Sequence, residues 1–72
     1  MKFHAATLKN NRLLVGIFND KKHTFPAGTE VTAVQLDNNT WHLNAELCGE
    51  MYDGYANTSM LNLGDVIGTV NE

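Results

Sequence analysis

Three histidines, one cysteine and eight carboxylates are the side chains in this 72-residue sequence best suited to acid–base, nucleophilic or metal chemistry. His4, His23 and His42 are each separated by 19 residues, whereas ligand pairs in protein zinc sites stand only a few residues apart. No Cys-x-x-Cys or His-Glu-x-x-His pair occurs. His42 shares its alternation with Asn44 and Glu46, so it reads as a surface histidine rather than a ligand. Cys48 stands before Gly49 with no base in a fixed relation to it, and reads as a packing thiol rather than a nucleophile. The stretch from Cys48 to Gly54 lacks the Lys and the following helix of a phosphate loop. No metal, cofactor or catalytic constellation is therefore expected, and the residues argue against an enzyme.

Recognition chemistry is better represented. Tyr52 and Tyr55 fall in a segment with Glu50, Asp53, Asn57, Thr58 and Ser59, a mixture of rigid aromatics and adaptable hydrogen-bonding groups. Cys48 to Ser59 shows neither a two-residue nor a 3.6-residue period and contains two glycines, so it reads as a long loop with at most one helical turn. Loops of about 12 residues in a domain this small are uncommon and often functional. These seven residues are the candidate binding site. Trp41, by contrast, alternates with Leu43, Ala45 and Leu47 and reads as core.

The elements that must carry that loop are strands. Phe25 to Leu47 contains two alternating runs around an Asp-Asn-Asn-Thr turn signal and reads as a central hairpin. Lys2 to Lys9 and Arg12 to Phe18, separated by Asn10-Asn11, read as a first hairpin, since Asn tolerates the positive φ of a tight primed turn. Leu13, Val15 and Ile17 share one face of the second run and Leu14, Gly16 and Phe18 the other, which suggests partial cover on both sides; Gly16 suggests a bend. Val31 and Ala33 against Val34 and Leu36 suggest the same for Glu30 to Leu36. Asn19-Asp20 is a turn leading into an edge strand, Lys21 to Phe25, whose lysines discourage foreign pairing. Pro26 is expected at the first inner position of the next turn, with Gly28 at its exit. Met60, Leu61 and Leu63 resume the apolar pattern, and Asp65 to Val70 reads as a closing strand.

The order of these segments resembles SH3-like small barrels, through Pro26, Gly28, Thr29 and Val31, then Asp37 to Trp41, and finally Leu63, Asp65 and Val66. The expectation is thus an all-β single domain over residues 1–72: a five- to six-stranded antiparallel SH3-like barrel or sandwich with one long loop. The peptide-binding members of that class carry an early acidic and aromatic loop, whereas Tyr52 and Tyr55 come late. The resemblance therefore implies no proline-rich ligand groove here.

A chain this short buries only about 60% of the surface that its unfolded form exposes, which leaves little room for an enclosed active site. One cysteine excludes an internal disulfide and fits a reducing cytoplasm. No apolar run approaches the roughly 20 residues of a membrane span, and the N-terminus lacks the apolar block of a secretory signal. All five basic residues precede Thr24, where the balance is +4, and Phe25 onward carries −7. Folding can interleave the two segments, or the surface can remain dipolar and orient a partner or another copy. The net charge of −3 argues against nucleic acid. The expectation is a cytoplasmic, non-enzymatic protein that docks on a protein partner, a regulator or inhibitor of the kind that phages or mobile elements direct at a host or defence protein. The alternative is an oligomer that sequesters a small nucleotide-type molecule at a subunit interface.

Overall fold

A computed structural model describes residues 2–69. Seven strands form one antiparallel sheet: β1 (Lys2–Leu8), β2 (Arg12–Gly16), β3 (Lys22–Phe25), β4 (Glu30–Gln35), β5 (Thr40–Leu47), β6 (Glu50–Asn57) and β7 (Leu61–Thr69). A single 3₁₀ turn, Thr58–Met60, separates β6 from β7. The sheet order is β3-β2-β6-β5-β4-β1-β7, and the sheet is not closed. The all-β expectation holds, with seven strands in place of five or six. The central hairpin is β4 and β5, and β5 is the middle strand of the sheet.

The connection from β1 to β2 forces the sheet to roll. Three strands lie between them, so in a flat sheet they would stand about 19 Å apart at the usual strand spacing. Only Lys9, Asn10 and Asn11 join Leu8 to Arg12, and four residue steps span at most about 14 Å. The ends must therefore curl toward each other, and the Cα envelope of 29 × 26 × 18 Å is far thicker than a flat sheet. Rolling encloses one face. Leu8, Leu14, Phe25, Trp41, Leu43, Tyr52 and Leu61 fill that inner face, with Ala6, Ala33, Ala45 and Ala56 as the small residues that a tight radius needs. Phe25 from β3 and Leu61 from β7 bring the two outlying strands into the same core.

The expected first hairpin does not form. β1 pairs with β4 and β7, and β2 with β3 and β6. Asn11 turns no hairpin; its Oδ1 accepts the Ala27 N–H at 2.9 Å and ties the β1–β2 link to the β3–β4 turn. In that turn the Pro26 carbonyl accepts the Thr29 N–H at 3.2 Å, so Pro26 opens the turn instead of taking its first inner position, and Gly28 adopts φ +88°. Asp20 supplies the positive φ of the β2–β3 turn, and β3 lies at the sheet edge as expected. Gly16 makes no bulge: a side chain there would strike the Asn19 carboxamide, which folds back to accept the Lys21 N–H at 2.9 Å. β7 begins earlier than expected, at Leu61, and Val70 lies outside the described residues.

The long loop is absent, because most of Cys48 to Ser59 is β6. Cys48 and Gly49 both have positive φ, 52° and 79°, as a two-residue primed hairpin turn requires, and the Leu47↔Glu50 pair closes it. A cysteine is an unusual occupant of that left-handed position, so the turn carries no Asn-Gly or Asp-Gly signature. Gly54 is equally misleading, since it sits inside the strand. A Cβ there would meet Leu14 Cδ2 at 2.5 Å, and Leu14 is fully buried.

Two predictions follow from these contacts. Gly54→Ala overpacks the inner face against Leu14 and is expected to cost about 1–3 kcal/mol, read as a lower urea midpoint with an unchanged slope. The β4–β5 turn is held by Asp37, whose carboxylate accepts the Asn39 and Thr40 N–H groups, each at 2.9 Å. The hydrogen bond from the Asn39 backbone, followed by that from the Thr40 side chain, lowers its pKa below the usual 3.8. A depressed folded-state pKa stabilises above the unfolded value and is lost as pH falls through the folded one. The stability advantage of the protein over Asp37→Asn should therefore hold at neutral pH and shrink on acidification below about 3.8. An advantage that did not change between neutral and strongly acid solution would show that the carboxylate charge plays no part in the turn.

Candidate functional site

Residues paired across an antiparallel ladder project from the same face, so the registers define the outer surface row by row. The first row runs Phe3, Val34, His42 and Tyr55 across β1, β4, β5 and β6. Carrying the Val15↔Asp53 register two residues on sets Leu13 beside Tyr55. Among the described residues, Val34 is the one buried apolar side chain outside the inner core, and it lies in this row. Tyr55 is 58% exposed and Leu13 52%. The His42 and Tyr55 rings meet with their centroids 5.2 Å apart and their planes tilted at 54°, and His42 Nε2 lies 3.1 Å from Asp53 Oδ2.

The second row is low: Ala5, Thr32, Asn44, Asp53 and Val15. Ala5, Thr32 and Asn44 of that row line a groove of about 670 Å³ that also takes in Glu30, Glu46 and Met51, with Leu63 and Ile67 of β7 at the opposite end. No Lys, Arg or His lines that groove.

The seven residues expected to act together are divided by the strand they occupy. Tyr55, Asp53 and Asn57 lie on the outer face of β6. Tyr52 faces inward and is 5% exposed, edge-on to Phe25 at 5.4 Å. Its burial, with the neighbouring Glu50 carboxylate adding to it, raises the phenol pKa above 10.0. Glu50 accepts a hydrogen bond from Asn19 Nδ2 at 2.9 Å and joins two neighbouring turns. Thr58 Oγ1 accepts the Trp41 indole N–H at 2.8 Å, so it serves the core, and Ser59 is exposed in the 3₁₀ turn. Trp41 is core, as its alternation indicates. The Arg12 guanidinium donates to the Tyr55 carbonyl and to Met60 Sδ, which fastens β2 to the end of β6.

The sequence reading missed Leu13, Val34 and His42. Leu13 was legible as one of three apolar residues on one face of the Arg12 to Phe18 run, but two apolar faces suggested cover on both sides, and the outer one is largely open. His42 is half-buried beside Asp53 instead of a free surface group. His4 stacks edge-on against Trp41 at 5.2 Å and His23 against Phe25 at 4.9 Å, so the three histidines stand at separate places. Among the described residues no group of three His, Cys, Asp or Glu side chains could hold a metal ion. Cys48 is exposed in its turn and does not pack. Among the described residues no helix is long and apolar enough to cross a membrane. No known protein family, curated protein or solved structure matches the chain.

The two tyrosines should separate cleanly in experiment. Tyr52→Ala is expected to cost about 3–5 kcal/mol, the scale of a truncated core aromatic, while Tyr55→Ala stays within about 1 kcal/mol of the parent. Chemical denaturation of the two variants measures both.

Proposed function

We propose that the protein is a non-enzymatic binding module that docks on another protein through the outer row of Leu13, Tyr55 and His42. The observation that carries this reading is the exposure of Leu13 and Tyr55 side by side, in one row with His42, Val34 and Phe3. Contiguous exposed apolar surface rimmed by polar groups is the usual mark of an interaction site, and a rigid sheet presents it at little entropic cost. Asp53, paired with His42, supplies a polar contact at the rim. The scaffold is small for enclosing a substrate, and Phe25, Trp41 and Tyr52 are spent on the core. A cytoplasmic regulator or inhibitor, of the kind phages and mobile elements direct at host or defence proteins, suits a chain of this size. The rolled sheet is also compatible with the SH3-like likeness, which contributes no ligand site of its own.

Sequestration of a nucleotide-type molecule is the weaker reading. The groove large enough for one carries Glu30 and Glu46 and no basic side chain, which is the wrong charge for a phosphate.

Affinity capture from a lysate of the expressing cell tests the proposal when the protein is run against Leu13→Asp and Tyr55→Ala. A partner retained by the parent and weakened by about 2 kcal/mol or more in either variant supports the row as a hot spot. A partner bound equally by all three would move the interface elsewhere.

A further inference from the structure

The tip of the β2–β3 hairpin projects the most exposed apolar side chain among the described residues, Phe18, at 91% exposure. Two exposed lysines, Lys21 and Lys22, follow it. The tip is tied down: Gly16 N–H donates to the Lys21 carbonyl at 2.7 Å, and Asn19 bonds both to Lys21 and to Glu50. It is also held next to the Met51 end of the groove, because Ile17 N–H donates to the Met51 carbonyl at 3.0 Å. The groove has the complementary character, with Glu30 and Glu46 in its middle, Met51, Leu63 and Ile67 as apolar walls, and no cationic lining. The hairpin cannot enter its own groove, since Asn19 and Ile17 tie it to the β5–β6 turn and the start of β6.

We propose that the protein forms a two-fold dimer in which the Phe18 hairpin tip of each copy fills the acidic groove of the other. Plug and socket are neighbours on one molecule, so a single two-fold axis satisfies both contacts and the assembly closes at two copies. Phe18 becomes covered, and the lysines reach Glu30 and Glu46 across the interface. Charge complementarity selects a second copy as occupant, because the chain carries its basic residues before Thr24 and its acidic excess after it. The roll of the sheet interleaves most of that asymmetry, and it survives here, between Lys21-Lys22 and the groove. This surface lies at the opposite end of β2 and β6 from Leu13 and Tyr55, so the dimer and the partner contact are independent.

Sedimentation equilibrium across the micromolar range, at low and high salt, reads the assembly directly. The expected result is twice the monomer mass, with weaker association at high salt. Phe18→Ser, exposed and outside the core, should keep the circular dichroism spectrum and weaken association by about 10-fold or more. Lys21→Glu/Lys22→Glu and Glu30→Lys/Glu46→Lys should each be monomeric alone and form a mixed dimer with each other, which repairs both contacts at once. A monomer at every concentration overturns the proposal. So does a dimer indifferent to these substitutions, which would place the pairing on another surface such as the β7 edge. Tyr55→Ala should dimerise normally, so loss of the partner contact and loss of the dimer are distinguishable.

Discussion

The rest of the structure depends on the three residues between β1 and β2. A link that short cannot bridge four strand spacings, so the sheet has to roll, and rolling converts a single layer into an inside and an outside. An ordinary one-layer sheet of this length would leave both faces wet. Here the inner face buries residues from all seven strands, and no buried side-chain polar atom among the described residues lacks a hydrogen-bond partner. The radius is set by what the inner residues leave room for. Alanines stand at four inner positions, and glycine at a fifth, Gly54, lets Leu14 descend from β2.

How much of this was legible follows from where local signals and tertiary needs coincide. In β5 they coincide fully: Trp41, Leu43 and Ala45 alternate with His42 and Asn44 because the strand lies mid-sheet with a buried face and an open one. The same alternation is present in β6, where Tyr52, Gly54 and Ala56 face inward, but glycine hides it from a reading based on apolar period. One feature that normally marks a loop serves another end, and one real turn lacks the usual mark. Gly54 is a packing residue inside β6, and the true turn, before that strand begins, uses Cys48 at a positive φ. The missing β1–β2 hairpin has the opposite cause: Asn10-Asn11 is a fair local turn signal, but β1 finds better partners in β4 and β7, and non-local pairing overrides the local preference.

The candidate surface was only partly readable for a related reason. A tyrosine pair three residues apart looks like one aromatic cluster in a loop, whereas in a strand it straddles the sheet, with Tyr52 inside and Tyr55 outside. The partners of Tyr55 come from β2, β4 and β5, and their adjacency depends on register, which turn chemistry and the inner packing decide. Charge follows the same logic. A linear separation of basic and acidic residues is mostly interleaved once β1 inserts between β4 and β7 and β2 lies against β6.

The inside and outside of this sheet are therefore not independent designs. Leu14 seated over Gly54 fixes β2 against β6, and because successive side chains alternate, the same contact sets Leu13 beside Tyr55 on the far side. A one-residue slip between these strands would bring Leu13 into the core and expose Leu14. Arg12 adds a second restraint at that end through its bonds to the Tyr55 carbonyl and Met60, and Ile17 a third at the other end through Met51. Three contacts between Arg12 and Ile17 thus hold both ends of the outer face in position: the apolar row at Leu13 and the hairpin tip at Phe18. A packing change at Gly54 should consequently be felt at both surfaces, although neither contains it.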